Sequence, residues 1–130
     1  MASELRVNTI YDKNGDNSST AEEINKGRAK AWVNFNGNGT VSIRQSYNVS
    51  SITDNATGHW TVNLSNALDD ADYCAVASFS PENGTYPDMN LIFATPPGST
   101  TAPRSTAFEL LSYGQSAYRD CNYVCCAVFR

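Results

Sequence analysis

Between residues 30 and 65, apolar and polar residues alternate in three successive runs. In the last, GHWTVNLS, Trp60, Val62 and Leu64 alternate with His59, Thr61, Asn63 and Ser65. A period of two puts one face of a strand on a core and the other in water. Ala31, Val33 and Phe35 alternate in the same way with Lys30, Trp32, Asn34 and Asn36. Val41, Ile43, Gln45, Tyr47 and Val49 alternate with Ser42, Arg44, Ser46 and Asn48. Asn36-Gly37-Asn38-Gly39 separates the first two runs, and Asn-Gly turns tolerate the positive φ that closes a hairpin. The pattern predicts a three-stranded β-meander with one apolar face, which needs a second layer over it.

Further strands supply that layer. Residues 73–80, YCAVASFS, are apolar on both faces and read as a central strand covered on both sides. Residues 89–95 and 105–113 follow, and the apolar run NYVCCAVFR predicts a last strand tied into the sheet. The prolines at Pro81, Pro87, Pro96, Pro97 and Pro103 mark the loops between them, and GQSAYRD forms another loop. About seven to eight strands with turn signals between them give an all-β chain, an antiparallel β-sandwich over residues 29–130. Residues 1–28 differ. Leu5, Val7, Thr9, Ile10 and Tyr11 predict one short strand, DKNGDNSST is turn-rich, and Ser19-Thr20-Ala21-Glu22-Glu23 predicts a capped helical turn ending near Gly27. Such a polar leader reads as an extended N-terminal arm that orders against a partner.

The segment AKAWVNFNGNGTVSIRQSYNVSSITDNATGHWTVNLSNALDDADYCAV resembles a module of tail-fibre and other virion structural proteins of tailed bacteriophages, marine and cyanobacterial ones especially. The resemblance covers residues 30–76 and returns weakly at NYVCCAVFR. It rests on Ala-Lys-Ala-Trp-Val-x-Phe, the Ile43-Arg44 to Asn55 run and Trp-Thr-Val-Asn. It implies a structural or adhesive role on a virion, a homotrimer, and an attachment segment in the Leu-x-Val-x-x-Ile leader. Asp69 stands where the resemblance leads one to expect proline.

Composition narrows the functions further. A net charge of −4 and a pI near 4.7 argue against a nucleic-acid partner, whose phosphates call for a basic surface. No apolar run approaches the ~20 residues that span a bilayer, so no membrane insertion is expected. MASELRVNTIYDKNG has no apolar core of a signal peptide, which fits an ordinary cytoplasmic protein as well as one made in the host cytoplasm and carried on the virion, the localisation the resemblance implies. The Asn-X-Ser/Thr triplets at Asn17, Asn38, Asn48, Asn55, Asn63 and Asn83 then read as chance in an Asn-, Ser- and Thr-rich chain.

Chemistry is sparse. Cys125 and Cys126 must point to opposite faces of a strand, and Cys121 lies roughly 13 Å from Cys125 along it, too far to share a tetrahedral metal. The four cysteines read as small buried thiols, with a Cys74–Cys121 disulfide left open. Asp69, Asp70 and Asp72 do not follow a calcium-loop spacing and read as a solvated turn. His59 is the single histidine and alternates onto a polar face, and Glu109 stands nearly alone among strand acids. No metal, no cofactor and no enzymatic activity are expected.

Aromatic residues near loops are the binding candidates, because tyrosine and tryptophan combine a flat apolar face with a polar handle suited to a sugar ring. Tyr86, Tyr118 and Arg119 are the candidate ligand-binding residues. Tyr113 and Trp32 are also placed to bind, while Tyr123 reads as core; Trp32 and Arg44 could line a subunit interface. The functional expectation is a tail-fibre or receptor-binding module that adheres to a host surface glycan, its arm joined to other virion proteins. A capsid-decoration, cement or head-fibre protein is the alternative, and a soluble lectin-like module the third.

Overall fold

The computed structural model describes residues 3–81, 90–93, 103–114 and 116–130. In chain order the elements are β1 (Thr9–Tyr11), β2 (Ser18–Thr20), α1 (Ala21–Gly27), β3 (Ala31–Asn36), β4 (Ser42–Tyr47), β5 (Val49–Ala56), β6 (His59–Leu64), β7 (Cys74–Pro81), β8 (Asn90–Phe93), β9 (Ala107–Gly114), β10 (Ala117–Tyr118) and β11 (Cys121–Phe129). All pairings are antiparallel. One sheet has the order β4-β3-β11-β7; the other runs β10-β9-β6-β5, with β8 also on β9. The all-β sandwich expected from the sequence is the observed architecture.

Alternation explains the core. Ala31, Val33 and Phe35 of β3 and Val124, Cys126 and Val128 of β11 face Trp60 and Val62 of β6 and Phe108 and Leu110 of β9, all buried. Phe35 meets Trp60 edge to face, with ring centroids 5.7 Å apart. That is a favoured aromatic geometry. Gly37 closes over the same indole, and a Cβ there would come within 2.7 Å of Trp60 Cζ2. Cys125 and Cys126 point to opposite faces, as expected, and Cys126 lies in the core.

The structure redraws the meander. Its strands do not share one sheet: β3 and β4 belong to the first, β5 and β6 to the second. The run expected as one strand over residues 41–49 breaks at Asn48, which has a φ of 56° and turns the chain from one sheet to the other. A register shift beside Phe35 also interrupts the alternation of β4. The 30–65 unit therefore contributes to both layers, and the later strands interleave with it.

Two further expectations change. β7, expected as a central strand, is the edge of its sheet, and Cys74, Val76, Ala77, Ser78 and Ser80 are exposed. β11 takes the centre instead, between β3 and β7. Tyr123, expected in the core, is half exposed and lies under the Arg44 guanidinium, 4.0 Å from its ring centroid.

The N-terminal segment builds its own small unit. β1 and β2 form a two-stranded sheet closed by Asp12, whose Oδ1 accepts from the Asn14 and Asp16 amides and whose Oδ2 accepts from Asn17. The Asn17 amide, with backbone N–H groups, holds the Asp12 carboxyl below its ordinary range. Thr20 caps α1 with a capping box: its hydroxyl accepts from the Glu23 N–H, and Glu23 accepts from the Thr20 N–H. No residue of α1 is buried, and Leu5, Val7, Ile10, Tyr11 and Ile24 are exposed.

Candidate functional site

The two ends of the sandwich carry different parts of the chain. Lys30 follows the arm and donates its N–H to Val128, so β3 begins where β11 ends. Arg130 lies at this same end and forks onto the Asp70 carboxylate through Nε and Nη2, holding that carboxyl below its ordinary range. The acidic stretch expected to be a solvated turn is tied down by this pair. β3 leads away from the arm to Gly37, whose N–H donates to Cys121. Gly58, the 119–120 corner and the end of β7 gather at this opposite end.

Gly58 organises the distal end. Its φ of +65° suits glycine, and a Cβ there would lie 2.6 Å from the backbone N and O of Arg119. Its N–H donates to Asp120 Oδ1 at 2.7 Å, and its carbonyl accepts from the Ser112 N–H at 2.8 Å. The Arg119 N–H donates to Ser112 at 3.1 Å. This clamp fixes the short hairpin from β9 into β10, in which Tyr118 pairs with Tyr113. Their rings meet edge to face at 5.3 Å and remain about two-fifths exposed.

Along β9, Glu109, Leu111 and Tyr113 share the face opposite Phe108 and Leu110, and Leu111 on it is buried as well. His59 lies opposite Leu111 in the neighbouring strand. Its Nε2 is 2.9 Å from Glu109 Oε2, with only 20% of the His59 side chain and 13% of the Glu109 side chain exposed. By strand alternation alone His59 belongs on a solvated surface and Glu109 stands alone. The long-range register of β6 on β9 brings them together, and no local pattern announces that register. The exposed tyrosine pair and the largely buried His–Glu pair are separated along β9 by Leu111, which is itself buried. The tyrosine platform by itself can stack an apolar ring face and exchange hydrogen bonds with hydroxyl groups through its phenol oxygens.

Of the three candidate residues, Tyr118 and Arg119 lie together at this end, whereas Tyr86 falls outside the described residues. Tyr118 is exposed; Arg119 is half-buried, so its backbone and its side chain both belong to the distal corner. Tyr113 joins Tyr118 as the residue that completes the platform.

The cysteines are free thiols. Cys74 pairs with Phe129 and Cys121 with Pro81, at opposite ends of one ladder, so no bridge joins them. Burial pushes Cys126 up to about 12 and raises Cys121 as well, while Ser112 Oγ sits 3.2 Å from the Cys121 sulfur. Neither is a thiolate nucleophile near neutral pH. Among the described residues, no group of three or more His, Cys, Asp or Glu side chains is placed to hold a metal ion.

The chain matches no protein-family model, no characterised protein and no solved structure.

Proposed function

We propose that this chain is a bacteriophage virion structural protein, a tail-fibre or receptor-binding module that adheres to the host surface. The sequence resemblance over residues 30–76 supplies the class. The observation that carries the reading is the polarity of the domain: the arm enters at one end, and the tyrosine platform with its locked corner lies at the other. A module held by its N-terminal segment presents that opposite end outward. The arm supports attachment, since its exposed Leu5, Val7, Ile10, Tyr11 and Ile24 find no place in the sandwich core. A two-stranded hairpin and a seven-residue helix lack the burial to stand alone, so another virion protein is the natural partner. The role is binding, with no chemical step.

Gold-labelled antibody against the chain, applied to phage particles whose lysate contains it, tests the placement. Label at the tail tip is the expected result. Label over the capsid moves the protein to a decoration role, and particles without label overturn a virion role altogether.

A further inference from the structure

We infer that β7 is the contact through which two copies of this chain join, edge to edge, in an antiparallel pair. Three observations carry this. First, residues 74–80, CAVASFS, contain no charge and no proline and have small or apolar residues on both faces. This is the composition of an interior strand. The single chain nevertheless leaves β7 at the edge, with β11 as its only strand partner among the described residues.

Second, among the described residues the other long edge strands, β4 and β5, carry charges and register shifts, while residues 74–80 of β7 carry neither. β4 carries Arg44 and a register shift against β3, and β5 carries Asp54 and two register irregularities against β6. Charges and bulges are the usual devices that stop one sheet edge from pairing with another. In β7 the register shift falls at its end, beside Cys121, and leaves residues 74–80 in regular pairing with β11. Val76 is 53% exposed and continues a row Tyr47–Trp32–Ala127–Val76 across the sheet.

Third, the neutrality of the segment suits a second copy in particular. The chain has a net charge of −4, so two copies repel over most approaches, but uncharged strands meet without that cost. Antiparallel pairing about Ala77 sets Val76 of one copy opposite Ser78 of the other and makes one eight-stranded sheet from two four-stranded ones. A homotypic edge contact is two-fold, so it joins copies in twos whatever the arms do. The ladder spans only about 23 Å and falls short of the roughly 800 Å² per partner of a standard interface, which sets association in the micromolar range or weaker.

Hydrogen exchange on the full chain, at about 10 μM and about 1 mM, reads the edge directly, with mass measured by sedimentation. The β7 amides should slow at least tenfold at the higher concentration as the mass moves toward a dimer. Val76→Lys/Ser78→Lys places like charges across the pair and should abolish both effects; both positions are exposed, so the fold tolerates them. Val76→Glu/Ser78→Glu should likewise be monomeric, and mixing the two variants should restore association. Fast exchange in a monomer at the higher concentration overturns the inference. So does slow exchange in a monomer at both concentrations, which means the edge is covered within the chain. Association that survives the lysine variant, or that the charge-swapped mixture fails to restore, places the contact elsewhere and overturns it too.

Discussion

Asn48 grips the backbone of Asn66 from both sides. Its Oδ1 accepts from the Asn66 N–H at 2.8 Å, and its Nδ2 donates to the Asn66 carbonyl at 3.1 Å and to the Lys30 carbonyl at 3.2 Å. With its φ of 56°, Asn48 both makes the corner between the sheets and ties it to the start of β3. Asparagine suits the position because it tolerates left-handed backbone and can satisfy neighbouring peptide groups.

Asn48→Ala should destabilise the fold by about 2–4 kcal/mol, combining left-handed strain with orphaned peptide groups. Asn48→Gly removes the strain and keeps the loss of hydrogen bonds, so it should be milder by about 1 kcal/mol. Denaturant midpoints of the two variants measure the difference. Equal midpoints would show that the side-chain bonds alone matter.

Gly39 and Gly58 share a positive φ but differ in surroundings. A Cβ at Gly39 meets nothing, while one at Gly58 collides with the Arg119 backbone. Gly39→Ala should cost about 1–2 kcal/mol and Gly58→Ala clearly more, with the Tyr113–Tyr118 hairpin displaced. Thermal unfolding of both, together with amide shifts of residues 112–120, checks the contrast.

Removal of His59 leaves the Glu109 carboxylate largely buried without its partner. His59→Ala should therefore cost about 1–3 kcal/mol, and His59→Ala/Glu109→Ala less than the sum of the single changes. A double-mutant cycle in urea measures this coupling. Additive losses would mean that the pair contributes packing alone.

Cys126 ionises in the unfolded chain near pH 9 but is held as the thiol up to about 12 in the fold. A raised folded pKa means that the stability is fully present below pH 9 and is lost as pH rises toward 12. This group alone should lower stability by up to about 1.4 kcal/mol per pH unit in that window. Cys126→Val should flatten the decline in urea midpoints, leaving the part due to Tyr73, which burial also pushes up to about 12. An unchanged slope would show that other groups dominate.

Fold class was legible because strand alternation and turn residues are local signals. The Ala31–Val33–Phe35 and Trp60–Val62 faces entered the core as their period of two requires. What local pattern could not convey was which strands become neighbours. Tyr47 and Val49 looked like one face of one strand because they stand two residues apart, but the corner at Asn48 leaves Tyr47 exposed beside Trp32 and packs Val49 against the core. β7 looked central because its composition is that of a covered strand, and composition does not reveal which side lacks a neighbour. The binding candidates were legible as aromatics near turns, yet the Tyr113–Tyr118 contact and the His59–Glu109 pair depend on register between distant strands.

The central place of β11 sets a clock on synthesis. β3 pairs with it across roughly ninety residues of intervening chain, which take about 5–20 s to translate. Until β11 emerges, β3 can hold β4 but has no second neighbour, and Val33 and Phe35 wait without half of their layer. The four-stranded sheet therefore closes only once β11 has emerged from the ribosome. High-level expression should be limited by chaperone supply during that interval, more than by the stability of the finished domain.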